Sequence, residues 1–303
     1  MADPDRIARL RGLEAHLGAH IRGQDHALPR IAAAFARGEL GLTDPARPRA
    51  SFLFVGPTGS GKTEVFARAT DYVFGPGHLV TFDMSEYQDK SAVNKLLGED
   101  RADAGLLGRA LSAVPRGGVL FDEVEKAHPL VMDLFLQVLW NGRITVATGR
   151  TFLFGGRYVG FTSNIGGADA LRMEQSTFAS VERAVLRRVE QTLRPELAGR
   201  IDEQVVFARL SPAVQREICA LEVARETARL RGLGYDLEIT EAAMDFLVCE
   251  GVHPHLGARP LRRTVERQLR DAVARDLLAT GGGRGAVIVD GPRRRLAIAP
   301  RPA

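Results

Sequence analysis

Eight residues constrain this chain more than any other stretch. Gly56-Pro57-Thr58-Gly59-Ser60-Gly61-Lys62-Thr63 follows the apolar run Ser51-Phe52-Leu53-Phe54-Val55 and opens a helical pattern over 62–74. That order, strand then glycine-rich loop then helix, is the context in which G-x-x-x-x-G-K-[ST] binds phosphate. Glycines let the backbone curl so that successive N–H groups point at phosphate oxygens, and the helix start adds its positive dipole end. In such a loop Lys62 reaches the β- and γ-phosphates and the Thr63 hydroxyl ligates magnesium.

The loop also predicts its surroundings. Leu79-Val80-Thr81-Phe82, Val119-Leu120-Phe121 and Tyr158-Val159-Gly160-Phe161-Thr162 repeat the short apolar run of a buried parallel strand, with helical stretches at 62–74, 105–114 and 129–140 between them. Helical spacing also marks 5–19 and 25–37, and 44–49 is a turn-rich linker. Strands alternating with helices predict an α/β fold, a doubly wound parallel sheet whose ligand site lies beyond the carboxyl ends of the strands. A hairpin candidate covers 141–144 and 149–151. After Val205-Val206-Phe207 the composition changes: Ser211-Pro212 is a helix start, 212–231, 240–249 and 258–279 are amphipathic, and strand candidates at 286–290 and 295–299 flank Gly291-Pro292. We therefore expect a nucleotide-binding domain over 1–208 and a smaller, mainly helical lid domain over 209–303. No internal repeat is present, and Gly281-Gly282-Gly283 is the one low-complexity segment.

A second acidic element should end a neighbouring strand, because the metal and the attacking water both need a carboxylate. Val119-Leu120-Phe121 runs directly into Asp122-Glu123. Two adjacent carboxylates at the end of a buried strand are unfavourable without a cation. Asp122 is thus assigned to hydrated magnesium and Glu123 to polarising the water.

Composition narrows the remaining classes. The 303 residues are 45% hydrophobic and 26% charged, which excludes fibrous and wholly disordered chains. No window approaches the roughly 18 apolar residues of a membrane span, and Met1-Ala2-Asp3-Pro4-Asp5-Arg6 lacks a basic region leading into an apolar one, so a cytoplasmic location without membrane contact is expected. Cys219 and Cys249 sit in apolar helical patterns and read as small buried hydrophobes. The net charge of +4 is spread along helices beside acidic residues, and Arg293-Arg294-Arg295 reads as a solvated turn, so nucleic acid is not an expected partner.

Five ordered motifs make the chain similar to a known family. Gly56 to Thr63, Phe121-Asp122-Glu123-Val124-Glu125-Lys126-Ala127-His128, Thr162-Ser163-Asn164, Arg194-Pro195-Glu196 with Arg200-Ile201-Asp202-Glu203, and Gly257-Ala258-Arg259-Pro260-Leu261-Arg262-Arg263 resemble the Clp-type AAA+ ATPases, in particular the second ATPase module of the unfoldases and disaggregases. Ile21-Arg22-Gly23-Gln24-Asp25 resembles their adenine-contacting segment, assigning Ile21, Arg22 and Gly23 to the base. The resemblance implies ATP and magnesium as cofactors, with Gly56, Pro57, Thr58, Gly59, Ser60, Gly61, Lys62 and Thr63 around the phosphates. It implies that Asn164 orients the attacking water, the alternative being an Asn that caps the next turn. It implies that Arg200 enters the neighbouring subunit's site, the alternative being an arginine paired with Asp202 or Glu203. Arg259 is implied to reach the phosphates from the small domain. A finger acting in trans requires a head-to-tail homo-oligomer, in this family usually a hexameric ring, acting on a protein client.

Two departures matter. Threading members of the family carry a glycine-flanked aromatic after the second strand, where this chain has Gly98-Glu99-Asp100-Arg101-Ala102-Asp103-Ala104-Gly105. Small and acidic residues offer little apolar area to a passing polypeptide, so threading is not expected. Between Asn164 and Arg194 there is no Ile-Gly-Leu or Ile-Gly-Phe loop, so the Clp peptidase is not an expected partner.

Overall fold

Side chains alternate between the two faces of the central strands, and both faces are covered. In β1 (Ala50–Val55) Phe52 and Phe54 point into one core with Phe35, Phe66 and Tyr158, whereas Leu53 and Val55 point into another with Phe121, Phe135 and Phe161. Burial on both faces explains why these strands read as continuous apolar runs. The computed structural model describes residues 4–173, 175–253, 256–281, 285–290 and 295–299. Two compact units emerge: residues up to Pro57 with Gly61–Arg209, and residues from Leu210 onward with Thr58–Ser60.

In the first unit β2 is Leu79–Asp83, β3 Gly117–Asp122, β4 Arg143–Thr145, β5 Thr151–Leu153, β6 Arg157–Ser163 and β7 Glu203–Val206. A five-stranded parallel sheet has the order β2-β3-β6-β1-β7, and β4 with β5 forms an antiparallel hairpin. Its helices are α1 (Pro4–His20), α2 (Leu28–Glu39), α3 (Lys62–Phe74), α4 (Ala92–Leu97), α5 (Gly105–Ala113), α6 (Pro129–Asn141), α7 (Gly167–Arg172), α8 (Phe178–Thr192) and α9 (Pro195–Ala198). The register pairs Val119 with Val159 and Val55 with Ser163, so β1, β3 and β6 deliver Gly56, Asp122 and Asn164 to one edge.

The second unit holds α10 (Pro212–Gly232), β8 (Leu237–Ile239), α11 (Glu241–Gly251), α12 (Leu261–Thr280), β9 (Gly285–Asp290) and β10 (Arg295–Ala299). Ser211 caps α10 by accepting from the Val214 N–H at 3.3 Å, with Pro212 in the first turn. A three-stranded sheet of order β10-β9-β8 packs with the helices around Leu230, Leu247, Leu269, Val287 and Leu296.

Several expectations need correction. Helix 258–279 begins only at Leu261, because Pro260 fits the helix start and not its interior. Helix α8 and strand β8 carry no assignment from the sequence alone. Cys219 is buried, and burial pushes its thiol up to about 11, but Cys249 is exposed, since it lies off the Ala243-Leu247-Gly251 stripe that faces the core. Residues 1–3, 282–283 and 291–294, including Arg293 and Arg294, lie outside the described residues. Among the described residues no helix is long and apolar enough to cross a membrane.

Candidate functional site

The loop between β1 and α3 turns where it must. Gly56 has φ 137°, and a Cβ there would meet the Phe207 carbonyl oxygen at 2.5 Å, so only glycine allows β1 to leave the sheet beside Phe207. Pro57, Thr58, Gly59 and Ser60 form the tip, and Gly61 caps α3 with no side-chain cap of its own. The first N–H groups of α3 therefore remain available to a ligand.

Lys62 is buried and donates to the carbonyls of Gly56 and Pro57, both at 2.8 Å, and to Asn164 Oδ1 at 3.0 Å. Burial pushes its ammonium down to about 8, against the pull of Glu125, Asp122 and Glu123 toward the charged form. Thr63 donates its hydroxyl to Asp122 Oδ1 at 3.1 Å, and the Thr162 hydroxyl donates to the same oxygen. A hydroxyl and a carboxylate in contact are hard oxygen donors of the kind magnesium takes, so the residues present fit that ion.

Glu123 is the one non-glycine residue with positive φ among the described residues, at 56°. Its N–H donates to Thr162 Oγ1 at 3.0 Å, which holds the left-handed turn. Its carboxylate accepts from Asn164 Nδ2 at 3.3 Å and from Lys126 Nζ at 2.5 Å. Asn164 thus bridges the loop lysine and the candidate base, and its own N–H donates to Glu125 Oε1 at 3.0 Å. The second oxygen of Glu125 is buried without a hydrogen-bond partner among the described residues. Thr162, Glu125 and Lys126 carry no role from sequence alone; for Glu125 and Lys126 the available signal is adjacency to the Asp122-Glu123 pair, and for Thr162 its place in the strand end that leads to Asn164.

Ile21 is buried, close to Gly61, while Arg22 turns back to donate to the Gly18 carbonyl and Gly23 sits at φ 69°. Gln24 clamps this segment to the exit of β7: its amide donates to the Ala208 carbonyl at 3.0 Å and accepts from the Ala208 N–H at 2.8 Å. His26 adds a 2.9 Å hydrogen bond to the Val206 carbonyl.

Arg200 stands apart from this cluster. Its guanidinium lies 4.1 Å from the centre of the Trp140 ring, and no carboxylate among the described residues pairs with it. Asp202 is taken by the Ser51 N–H and hydroxyl at 2.7 and 2.6 Å, and Glu203 by Arg30 and Arg37 at 3.1 and 2.8 Å. The alternative of a local ion pair for Arg200 is therefore absent. Arg259 belongs to the second unit, in the turn before α12 where its N–H donates to the Leu256 carbonyl at 3.2 Å.

The segment 98–105 is a closed turn. Asp100 accepts from the Ala102 N–H at 2.7 Å, and Asp103 accepts from the Gly105 N–H at 3.0 Å and from Arg109 at 2.7 Å. The Ala147 N–H donates to the Leu97 carbonyl at 2.8 Å, tying the turn to the β4–β5 hairpin. Within that hairpin Arg150 stacks on Phe152 at 4.6 Å and donates to Ser112 at 3.1 Å.

A family model described as AAA domain (Cdc48 subfamily) matches residues 47–204, and one described as the C-terminal, D2-small domain of ClpB protein matches 210–288. The chain is 38% identical to Chaperone protein ClpB 2 of Nostoc sp. (strain PCC 7120), over 97% of this chain and 35% of that protein. It is 39% identical to Chaperone protein ClpC3, chloroplastic, of Oryza sativa subsp. japonica, over 91% of this chain and 31% of that one. With Heat shock protein 100 of Trypanosoma brucei brucei it shares 39% over 89% of this chain and 32% of that one. Among solved structures, a closed-state cryo-EM reconstruction of Hsp104 with ATPγS and FITC casein is similar at a TM-score of 0.86 and 31% identity, over 98% of this chain and 52% of that chain. The chain spans about a third of the length of these curated relatives. With the parallel sheet, the glycine loop and the acidic strand end in place, the chain belongs to the AAA domain (Cdc48 subfamily) family, of Clp type, and carries a ClpB-like small domain after it.

Proposed function

We propose that this chain is a magnesium-dependent ATPase that works as a homo-oligomeric ring, six subunits being the expected number, and remodels a protein partner without threading it. The observation that carries the reading is the convergence of Lys62, Thr63, Asp122, Glu123 and Asn164 at the strand ends, with Arg200 paired to no carboxylate among the described residues. Phosphate oxygens replace the Gly56 and Pro57 carbonyls as partners of Lys62. Magnesium would be held by Thr63 and Asp122 and would neutralise charge on the β- and γ-phosphates. Glu123, once released by Lys126, accepts a proton from the attacking water, which Asn164 orients; the bond from the γ-phosphorus to the bridging oxygen breaks, leaving ADP and phosphate. Arg200 and Arg259 contribute charge from the neighbouring subunit and from the small domain. Ile21, Arg22 and Gly23 face the base.

The absence of an aromatic and the hydrogen-bonded closure of 98–105 support remodelling by domain movement over threading. The reading includes a cytoplasmic site of action, and neither nucleic acid, membrane nor the Clp peptidase is among its partners. The Lys126–Glu123 ion pair favours a second reading, an ATP-gated assembly switch whose hydrolysis is slow because its base is restrained. Steady-state ATPase per subunit across protein concentrations separates them. A trans finger makes specific activity rise with assembly; a slow rate independent of concentration transfers the assignment to the switch.

A further inference from the structure

The chain's single tryptophan is 54% exposed and carries two guanidiniums, Arg200 at 4.1 Å and Arg47 at 5.3 Å from its ring centre. An indole this open leaves a ring face available to cations, and a guanidinium over that face is attracted by the ring quadrupole. We propose that Trp140 is the positioning residue for Arg200, setting the direction in which that guanidinium leaves its own subunit to meet the nucleotide phosphates of a second copy of this chain. The inference rests on the reading of Arg200 as the trans-acting arginine.

Three features make the ring a platform for this arginine. Trp140 lies in the last turn of α6, where the partial negative charge of the helix end favours cations. The helix then ends at Gly142, φ 57°, where a Cβ would lie 1.6 Å from the Ala46 carbonyl oxygen, so the linker passes against the helix end and brings Arg47 to the indole. Two like charges share one ring because Asp44, 3.7 Å from Arg47, compensates that cation and leaves Arg200 as the uncompensated one. The backbone around Arg200 is fixed on both sides. Before it, Arg194 at the start of α9 pairs with Asp133 on α6 at 2.5 Å; after it, Asp202 is hydrogen-bonded to Ser51 on β1. What stays variable is the long arginine side chain, and a flat ring under its guanidinium removes part of that freedom before the phosphates arrive.

The consequence is directional: Trp140 acts through the Arg200 of its own chain, so its loss should be felt in the neighbouring site. The test mixes two inactive variants of the full chain. Arg200→Ala keeps Glu123 and Glu123→Gln keeps Arg200, so mixed interfaces between them regain turnover. Adding Trp140→Ala to the Glu123→Gln partner, which donates the arginine, should lower the regained kcat about three- to tenfold with little change in KM. Adding it instead to the Arg200→Ala partner should leave the regained rate unchanged. Trp140→Phe in the donor keeps a ring face and should restore most of the rate. Equal losses from either side, or none from the donor, would overturn the positioning role. A mixture of the parent variants that regains nothing, with both still binding ATP and assembling, overturns the trans-arginine reading itself. A second measurement needs no turnover: with one tryptophan in the chain, emission should change on Arg200→Ala, and identical spectra count against the stack.

Discussion

At Glu123 the chemistry of the site and its restraint meet. A non-glycine residue at positive φ costs on the order of 1–3 kcal/mol and persists only where its neighbours over-determine it, here through the Thr162 hydroxyl and the Asn164 amide. Glu123→Gln keeps the size of the side chain and an oxygen to accept from Asn164, gives up the Lys126 ion pair, and removes the proton acceptor. The variant should bind ATP and lose hydrolysis; nucleotide at about 100 times its Kd should still add about 2.7 kcal/mol of stability, read as a raised melting temperature. Wild-type turnover in Glu123→Gln would remove the base assignment. Lys62 gives a second test, through pH. Burial holds its ammonium at about 8 in the free protein, and bound phosphates raise that value. A group whose bound-state value is the higher one contributes fully below pH 8 and loses that contribution as pH rises through the bound-state value. ATP affinity should therefore be flat below pH 8 and weaken by up to about tenfold per unit above it. Calorimetry in buffers of differing ionisation enthalpy checks the accompanying proton uptake, and no uptake near pH 8.5 would contradict it.

At the scale of elements, local chemistry was legible in the sequence and long-range ties were not. The strands announced themselves because burial on both faces leaves an unbroken apolar run, as in Phe52-Leu53-Phe54-Val55, and the glycine loop because its spacing is contiguous. Helix α8 shows why others were missed: its fully buried residues are Val181, Val185 and Val189, a narrow stripe of β-branched residues among charges, with Phe178 and Leu186 only partly buried against the core. Strand β8 is three residues long, too short for a period. Gln24 and Ala208 lie 184 positions apart, and Trp140 and Arg200 sixty apart, distances over which no local pattern operates. The Gln24 clamp joins the segment Ile21–Gly23 to the end of β7, and Gln24→Leu removes the side-chain partners of the half-buried Ala208 N–H and carbonyl. It should cost about 1–2 kcal/mol of stability and weaken ATP binding together. Denaturant unfolding with and without nucleotide separates the two effects; unchanged stability would mean that water replaces the clamp.

At the scale of the whole molecule, the proposed ATPase has to turn hydrolysis into work on a partner. A threading ring grips through apolar area presented by a projecting loop, since area contacts many side-chain types. Residues 98–105 offer two glycines, two alanines, three acids and one arginine, and Asp100 and Asp103 spend their carboxylates closing the turn on itself. Two alanine methyls supply a small fraction of the contact of one aromatic, at roughly 25 cal/mol per Å² buried. The Ala147 N–H bond to Leu97 further holds the turn against the β4–β5 hairpin, so an extended reach would break hydrogen bonds as well as lack a grip. The assembled ATPase should therefore leave a stably folded, tagged reporter intact. Replacing Ala102 with Tyr should fail to confer unfolding, because the closed turn keeps the new ring close to its own subunit. The measurement is fluorescence of a folded reporter with an unstructured tail, followed with ATP and a trap that prevents refolding. Loss of signal at a rate comparable to ATP hydrolysis, without any added partner, would overturn the non-threading proposal and assign the force to another surface, with the hairpin's exposed Leu153 the first residue to substitute.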